Sequence, residues 1–129
     1  MSKGIQIRDA HFPGRAPIDA YGDGGFRFAD MSHIGSLLCL PSGIHGWHAT
    51  SDSELDVALF ERVFDEANDI EVLLVGTGVD LRRLPQVLKI RLRDAKIISD
   101  PMNTGAAVRT YNVMLAEQRA VAAALIAVE

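Results

Sequence analysis

The sequence Glu71-Val-Leu-Leu-Val-Gly-Thr-Gly78 places an uninterrupted apolar run directly before two glycines. A strand that is apolar on both faces is typical of a position inside a sheet that is covered on each side. Glycine can end such a strand because its backbone accepts the conformations of a tight turn. This stretch therefore predicts a central, doubly buried strand that ends at Gly76.

Helical periodicity precedes this strand. Leu55, Leu59 and Val63 recur at four-residue spacing, and the charged residues lie mostly on the opposite side. The pattern predicts an amphipathic helix over residues 53–67. Three polar residues could cap its first turn: Ser51, Asp52 and Ser53.

A second helix is predicted after the strand, because Pro85 suits the first helical position. Its inward residues would be Leu84, Val87, Leu88, Leu92 and Ala95. Residues 89–93 also alternate like a strand, but this alternation covers only five residues, so the helix is preferred. A strand over residues 96–99 follows, and Asp100-Pro101 is expected to end it.

The first half of the chain has the two-residue alternation and turn residues of β-hairpins. Asp23-Gly-Gly25 predicts a turn that leads into a strand at Phe26-Arg-Phe28. Ser36–Leu40 and residues 44–48 predict two further strands, separated by Pro41-Ser-Gly43. Hairpins followed by alternating helices and strands indicate a single α/β domain over residues 1–129.

Residues 104–118 predict a helix of low charge, since Arg109 and Glu117 are its only charged residues. Its main inward face would be Ala107, Val108, Tyr111, Met114, Leu115 and Gln118. A second side is also small or apolar: Ala106, Val113 and Ala116. Such a helix is either covered over most of its circumference or offers a bare side to a partner.

The alanine-rich run over residues 120–128 has two interpretations. Alanine favours an extension of the preceding helix, but the product would be an uncapped helix longer than is usual in globular proteins. The alternative is a closing strand. Periodicity does not decide between them.

Composition limits the classes of function. The chain has 129 residues, 48% of them hydrophobic, and a net charge of −4, which argues against nucleic-acid binding through a basic surface. Cys39 is the only cysteine, so no internal disulfide is expected. The N-terminal residues lack the apolar core of a signal peptide, and the longest apolar run is far shorter than a membrane span. We therefore expect a cytoplasmic protein without a cofactor.

The first candidate site is Gly76-Thr77-Gly78, at the predicted end of the central strand. Two glycines let successive backbone N–H groups point toward one anion, and ligands of α/β sheets usually settle at the carboxyl ends of central strands. A dinucleotide-binding fingerprint fails because position 81 is Leu81 rather than glycine. The alternative is a tight turn that needs glycine for its backbone conformation alone.

The second candidate site lies on the predicted helix that begins near Thr104. Gly105, Arg109, Asn112 and Ala116 share one narrow stripe of this helix. Arg109 could bind a carboxylate or phosphate, and Asn112 offers a donor and an acceptor one turn away. Alternatively, Arg109 pairs with a carboxylate such as Asp100, and Asn112 holds a loop.

Other chemical groups give weaker signals. His45 and His48 would face opposite sides of a strand and no further ligands lie nearby, so Trp47 flanked by histidines at a solvent edge is preferred over a metal site. Ser42 lacks the setting of a catalytic serine, and Cys39 is interpreted as a buried, inert thiol.

A cluster of basic residues lies between Arg82 and Lys96 in an otherwise acidic chain. A solvated helix face is the ordinary explanation for such a cluster. The alternative is docking to an acidic protein surface or to a ligand that carries phosphate.

Several segments together resemble one family of small domains. They are Leu73-Leu-Val-Gly-Thr-Gly78, Thr104-Gly-Ala-Ala-Val-Arg-Thr-Tyr-Asn112, Val121-Ala-Ala-Ala-Leu-Ile126 and Ser36-Leu-Leu-Cys-Leu-Pro-Ser-Gly43. This family of unknown biochemical function includes the mitochondrial respiratory complex I assembly factor three.

The resemblance implies a three-layer α/β fold, in which a mixed sheet has helices on one side and is accompanied by a smaller β-layer. It also implies that the run after Arg119 is a strand, although this chain has Gln118 where the family usually has glycine. For the site, it implies that Gly76, Gly78, Arg109 and Asn112 line a shared cleft.

Two functions follow from these observations. The first is an accessory or interaction domain, with respiratory-complex subunits as partners, because no recognisable catalytic constellation is present. The second is a domain that binds a small anionic metabolite, or an enzyme, through Gly76, Thr77, Gly78, Thr104, Arg109 and Asn112. The bare side of the last helix would also fit a homodimer.

Overall fold

The computed structural model describes residues 6–7 and 10–129. Its strands are β1 Gln6–Ile7, β2 His11–Phe12, β3 Ala20–Gly22, β4 Gly25–Phe28, β5 Met31–Ile34, β6 Ser36–Leu40, β7 Gly43–Trp47, β8 Val72–Gly76, β9 Ile98–Met102 and β10 Val121–Leu125. Its α-helices are α1 Glu61–Asp65, α2 Gln86–Asp94 and α3 Thr104–Ala116, and short 3-10 helices span Ala58–Phe60 and Ala67–Asp69.

The strands form two sheets. The larger has the order β2-β7-β6-β10-β8-β9, and the smaller has the order β1-β5-β4-β3. In the larger sheet β10, β8 and β9 are parallel, whereas β2, β7, β6 and β10 are joined by antiparallel pairs. The predicted α/β fold with a mixed sheet and a smaller β-layer is therefore confirmed.

Two apolar cores lie on opposite faces of the larger sheet. Alternate side chains of β8 point to each core, Leu73 and Val75 to one and Val72 and Leu74 to the other. The first core is closed by α1 and α2, and the second by α3 together with the smaller sheet, so the helices lie on both faces of the larger sheet and not on one side only. All five residues of β8 are buried, which confirms the predicted central strand.

The helix predicted over residues 53–67 is wrong in its first turns. Asp56 Oδ1 accepts a hydrogen bond from the Leu59 N–H at 2.9 Å, and helical structure begins only at Ala58. Arg82 donates hydrogen bonds to the carbonyl oxygens of the two serines predicted as caps, at 3.2 and 2.8 Å. These contacts hold the preceding segment in a non-helical loop.

The predicted end of the strand after α2 is also wrong, because β9 continues through Asp100 and Pro101 to Met102. The Ile98 N–H and the Met102 carbonyl point toward β8. By strand alternation, the nitrogen of Pro101 faces outward from the sheet. Since β9 is an edge strand, proline breaks no pairing there.

Helices α2 and α3 are each followed by a residue in the left-handed conformation. Lys96 follows α2 with φ 64° and Gln118 follows α3 with φ 61°. The Gln118 N–H donates to Leu115, and the Arg119 N–H donates to Met114, at 2.9 and 3.1 Å. This hydrogen-bond pattern is a Schellman motif.

Two residues predicted to face inward are instead on the surface. Gln118 is exposed because it lies beyond the last helical turn. Val87 of α2 is 67% exposed, since Leu88 and Leu92 already supply the buried side of that short helix. The run after Arg119 is strand β10, in agreement with the resemblance, and it lies between β6 and β8.

Candidate functional site

The turn after β8 is joined directly to the first turn of α3. The Gly78 N–H donates to Thr104 Oγ1 at 2.9 Å, and the Thr104 N–H donates to the Gly78 carbonyl at 2.8 Å. The Thr104 hydroxyl donates in turn to the Ile126 carbonyl at 2.7 Å. Thr104 is fully buried. The structure thus brings two of the predicted site residues together at the carboxyl edge of the sheet.

Thr77 makes a second set of internal contacts in the same turn. Its N–H donates to the Met102 carbonyl at 2.9 Å, while its hydroxyl donates to the Asp80 carbonyl and accepts from the Arg82 N–H. The backbone N–H groups of residues 77 and 78 therefore both have protein acceptors. An anion could bind through them only by displacing Met102 and Thr104.

The glycines of this turn have different structural roles. Gly78 has φ +108°, a conformation that other residues rarely adopt. Gly76 permits close packing, because a β-carbon there would lie 3.0 Å from the Thr104 Cα. The backbone conformation accounts for the glycine at position 78, and the packing of α3 on β8 accounts for the glycine at position 76.

Arg109 is exposed on α3, on the side that faces the smaller sheet. A β-carbon at Gly105 would collide with the Tyr21 hydroxyl and lie 3.4 Å from Arg109 Nη1. The missing side chain at Gly105 therefore lets Tyr21 and Arg109 approach the helix. Within residues 10–129 Arg109 forms no ion pair, so the predicted alternative of a pair with Asp100 is not formed.

Asn112 holds a loop, as one of the two interpretations expected. Its side-chain amide bonds to both the N–H and the carbonyl of Ile18, each at 2.9 Å. These bonds join α3 to the segment that leads into β3. They use one donor and one acceptor of the side chain.

The six predicted residues therefore form two groups. Gly76, Thr77, Gly78 and Thr104 form a hydrogen-bonded junction between β8 and α3. Arg109 and Asn112 lie against the segment that contains Ile18 and Tyr21. Arg109 is the charged residue of this set, and it forms no ion pair with the described residues.

A polar cluster that the sequence did not predict lies at the β6–β7 turn. The Ser42 hydroxyl donates to Glu66 Oε2 at 2.6 Å, and the Ser42 N–H donates to Glu66 Oε1 at 2.8 Å. His45 Nε2 lies 2.9 Å from Ser42 Oγ, and Arg62 Nη2 lies 3.4 Å from His45 Nδ1. Because Arg62 can only donate, we assign the imidazole proton to Nε2.

This assignment directs the Ser42 proton toward a carboxylate and away from the imidazole. A serine nucleophile needs the opposite direction, with its proton passing to the base. Burial and the nearby Arg62 charge lower the pKa of His45, and His11 adds to this effect while Glu66 opposes it. The cluster accordingly contains a neutral histidine and is not arranged for hydrolysis.

The prediction of solvent-edge histidines is wrong for His45, which is only 7% exposed, and holds for His48. Strand β7 lies between β2 and β6, so the His45 side chain is covered by neighbours that sequence spacing does not reveal. Among the described residues, no group of three histidine, cysteine or acidic side chains could hold a metal ion.

Cys39 is buried in β6, as predicted. Burial raises the pKa of its thiol to about 12, and a hydrogen bond with Tyr111 offsets part of this shift. Burial also raises the pKa of Tyr111 above its usual value. A thiol in this setting is protonated near neutral pH and is a poor nucleophile.

No helix within the described residues has the length and hydropathy needed to cross a bilayer.

Comparisons with known proteins agree with the resemblance. The model of a family described as protein of unknown function DUF498/DUF598 matches residues 18–126. An uncharacterized protein of Rhodobacter capsulatus is 38% identical over 119 residues, covering 92% of this chain and 90% of that protein. A crystal structure described as an outer membrane protein from Bartonella henselae is 61% identical with a TM-score of 0.88, covering 92% of this chain and all of that one.

A relative named as an assembly factor is also similar over most of the chain. NADH dehydrogenase (ubiquinone) 1 alpha subcomplex assembly factor 3 of Mus musculus is 31% identical over 123 residues, or 95% of this chain. The match spans 66% of that relative's own length. The similarity therefore covers this domain and leaves about a third of the mouse protein without a counterpart.

Proposed function

Because the chain belongs to the family of proteins of unknown function DUF498/DUF598, we propose that it is an accessory protein that binds a protein partner during assembly of a respiratory membrane complex. The relatives named as assembly factors support this function. In the structure, the surface between α2 and β9 also supports this function.

Several exposed apolar side chains lie in the part of the chain that contains α2. Four large aliphatic residues between the end of β8 and the first residue of β9 are at least 62% exposed: Val79, Leu81, Val87 and Ile98. Single exposed apolar residues are ordinary on a protein surface, but several in one part of the chain are typical of a site where another protein binds.

Two adjoining surface cavities, of about 410 and 500 Å³, lie between α2 and the edge strand β9. Both are lined by Gln86, Lys89 and Ser99, so they form one continuous depression, which we call the α2–β9 groove. Its apolar wall includes Ile90, Ile97, Ile98 and Pro101, and its basic residues are Arg83, Lys89 and Arg93.

The charge of this groove indicates the chemistry of its partner. No acidic side chain is among its lining residues, although the whole chain carries a net charge of −4. A local positive region on an acidic protein attracts acidic surfaces and speeds their association. We therefore propose that the partner contributes an acidic segment with apolar side chains.

The edge strand itself contributes little to such a complex. By strand alternation, Ser99 and Pro101 direct their backbone groups outward, and proline has no N–H to donate. Strand addition along β9 would therefore lack a regular ladder. Side-chain contacts in the α2–β9 groove are the expected mode of binding.

Pull-down with cross-linking from a native lysate tests this function. The tagged protein is expected to recover subunits of a respiratory complex, and Lys89→Glu is expected to reduce that recovery at least tenfold because it reverses a groove charge. Arg27→Glu is the matched control, since Arg27 is an exposed arginine of β4 in the smaller sheet. Its recovery should equal that of wild type.

Two results would contradict the proposal. One is repeated recovery of the protein alone, and the other is equal loss of partner with Lys89→Glu and Arg27→Glu. A second copy of the chain as the only cross-linked species would favour the homodimer instead. Val113 of α3, 58% exposed, then marks a face to examine for the dimer contact.

We propose the cytoplasmic side of the membrane as the place of action. Fractionation of the source cells tests this directly, with recovery in the cytoplasmic fraction expected. Recovery with the outer membrane would contradict it and would match the description of the Bartonella henselae neighbour.

A second candidate function is the binding of a small anionic metabolite at Gly76, Thr77, Gly78, Thr104, Arg109 and Asn112. The observation that favours it is the exposed Arg109 guanidinium, which has no carboxylate partner in the described part of the chain. A metabolite screen by thermal shift is expected to find a stabilising anion whose effect grows with its concentration and is lost in Arg109→Ala. Equal stabilisation of wild type and Arg109→Ala would contradict it.

A further inference from the structure

A surface cavity of about 530 Å³ brings together all four histidines of the chain: His11, His33, His45 and His48. They come from β2, β5, β7 and the residue that follows β7, and Arg62 of α1 completes the wall. We call it the histidine cavity. The antiparallel register of β2 on β7 pairs His11 with His45 and leaves their ring centroids 5.7 Å apart.

The four histidines differ in what they can offer a ligand. His33 Nδ1 accepts from the Ala10 N–H at 2.9 Å, and its Nε2 lies 3.2 Å from the Ser36 carbonyl. His45 is engaged with Ser42 and Arg62. In contrast, His11 and His48 are exposed and form no hydrogen bond within the described residues.

Arg62 adds a permanent charge to the two available imidazoles. Its guanidinium makes one long contact, to His45, and forms no ion pair with the described residues. The remaining N–H groups of its planar fork are free to bind an oxyanion. No carboxylate is among the described residues that line the cavity.

Apolar side chains also line the histidine cavity. Ile34, 65% exposed, and Trp47 line it beside the basic groups. Its volume lies in the range of small-molecule sites. A ligand that fills it would combine an anionic group with an apolar or aromatic portion.

We propose that the histidine cavity binds the phosphate group of a small phosphate monoester. Arg62 would form charge-assisted hydrogen bonds to the phosphate oxygens, and His11 and His48 would complete the shell. A phosphate suits this set better than a carboxylate, because it offers oxygens in three directions and carries close to two charges. The imidazole N–H groups of His11 and His48 can donate hydrogen bonds to those oxygens. This site is separate from the α2–β9 groove.

Binding has a measurable electrostatic consequence at His45. Arg62, His11 and Glu66 are the charged or titratable groups that act on its imidazole, and Arg62 opposes its protonation. A phosphate bound to Arg62 would offset that positive charge. The pKa of His45 is therefore expected to rise when the site is occupied.

NMR titration of the labelled protein with inorganic phosphate and with phenyl phosphate tests the site at constant ionic strength. We expect saturable shifts of the His11, His48 and Trp47 ring signals, with phenyl phosphate binding more tightly. Arg62→Gln should weaken binding about tenfold or more. The control is Arg27→Gln, an exposed arginine of β4 that does not line the histidine cavity, which should bind like wild type.

Non-saturating shifts, or unchanged binding by Arg62→Gln, would overturn the proposal. Equal binding of acetate would overturn the choice of phosphate. If Arg62→Gln does not fold, His48→Ala decides the question, because His48 is exposed and forms no hydrogen bond there. Partner recovery through the α2–β9 groove is expected to be unchanged in both variants, so the two proposals fail separately.

Discussion

The side-chain amide of Asn112 and the backbone of Ile18 exchange two hydrogen bonds, each 2.9 Å long, across 94 residues of sequence. Ile18 is buried in the core that α3 shares with the smaller sheet. The pair therefore joins the last helix to the segment that enters β3. Asn112, a candidate ligand-binding residue by its sequence, therefore has a structural function.

Asn112→Ala is expected to lower the free energy of unfolding by about 2 kcal/mol, because it leaves the N–H and carbonyl of Ile18 without their partner. Urea denaturation measures the change. Val113→Ala is the matched control, since its exposed side chain should contribute within about 0.5 kcal/mol. Equal effects of the two substitutions would show that the Ile18 contacts do not stabilise the fold.

Gln118→Gly is expected to stabilise the protein by about 1 kcal/mol, because Gln118 has φ 61° and glycine adopts this conformation without steric cost. Thermal and urea unfolding measure the gain. Gln118→Ala keeps a β-carbon and should leave stability close to that of wild type. A gain of the same size with alanine would locate the effect in the removed side chain and contradict the backbone explanation.

Stability is expected to fall as the pH drops below about 6.5, because the pKa of His45 is lowered in the folded state. The unfolded chain then binds a proton that the folded chain resists, so protonation favours unfolding. Above the usual pKa of histidine, His45 is neutral in both the folded and the unfolded chain, so this loss of stability is absent. Urea unfolding at pH 7.5 and 5.5 measures it, and His45→Gln should show a smaller difference between the two.

Arg62→Gln provides an independent test of the same electrostatics. Removing the guanidinium should raise the pKa of His45, as read from its imidazole signals in an NMR titration. Arg27→Gln should leave that pKa unchanged. A pKa that moves equally in both variants would mean that the Arg62 contact has no specific effect.

Cys39 is expected to resist thiol reagents in the folded protein, because it is 1% exposed and its thiol has a pKa of about 12. Iodoacetamide labelling followed by mass spectrometry measures this. The urea-unfolded protein should label readily at the same pH. Rapid labelling of the native protein would show that β6 opens locally.

Several elements were predictable because one local signal determined them. The apolar run before Gly76 gave β8, and Pro85 with its apolar periodicity gave α2 against a competing strand. The junction of Gly78 with Thr104 follows from the rule that loops meet at the carboxyl edge of a parallel sheet. Local propensity and tertiary packing agree at these positions.

Elsewhere tertiary contacts override the local signal. Hydrogen bonds from Arg82 hold the segment before α1 out of the helix that its periodicity predicts. Pro101 ends a strand in most settings, and is accepted here because β9 has no neighbour on its outer side. The spacing of residues in the sequence reveals neither which strand lies at the edge of the sheet nor which distant guanidinium contacts a given segment.

The two available histidines were missed for a related reason. His11 and His48 meet in one cavity through the pairing of β2 with β7, and the sequence gives no independent signal for that register. Asn112 was correctly recognised as able to hold a loop, but its partner Ile18 could not be named. Long-range register, and not residue chemistry, limited the prediction.

Strand β10 comes after all the other described strands along the chain, yet it lies between β6 and β8 in the middle of the larger sheet. Until the ribosome has released it, the N-terminal hairpin strands and the β8–β9 pair have no common neighbour. A nascent chain at that stage therefore exposes two unpaired inner edges, which favours slow folding and a need for chaperones. A premature stop codon after residue 119 would remove the strand that joins the two parts of the larger sheet.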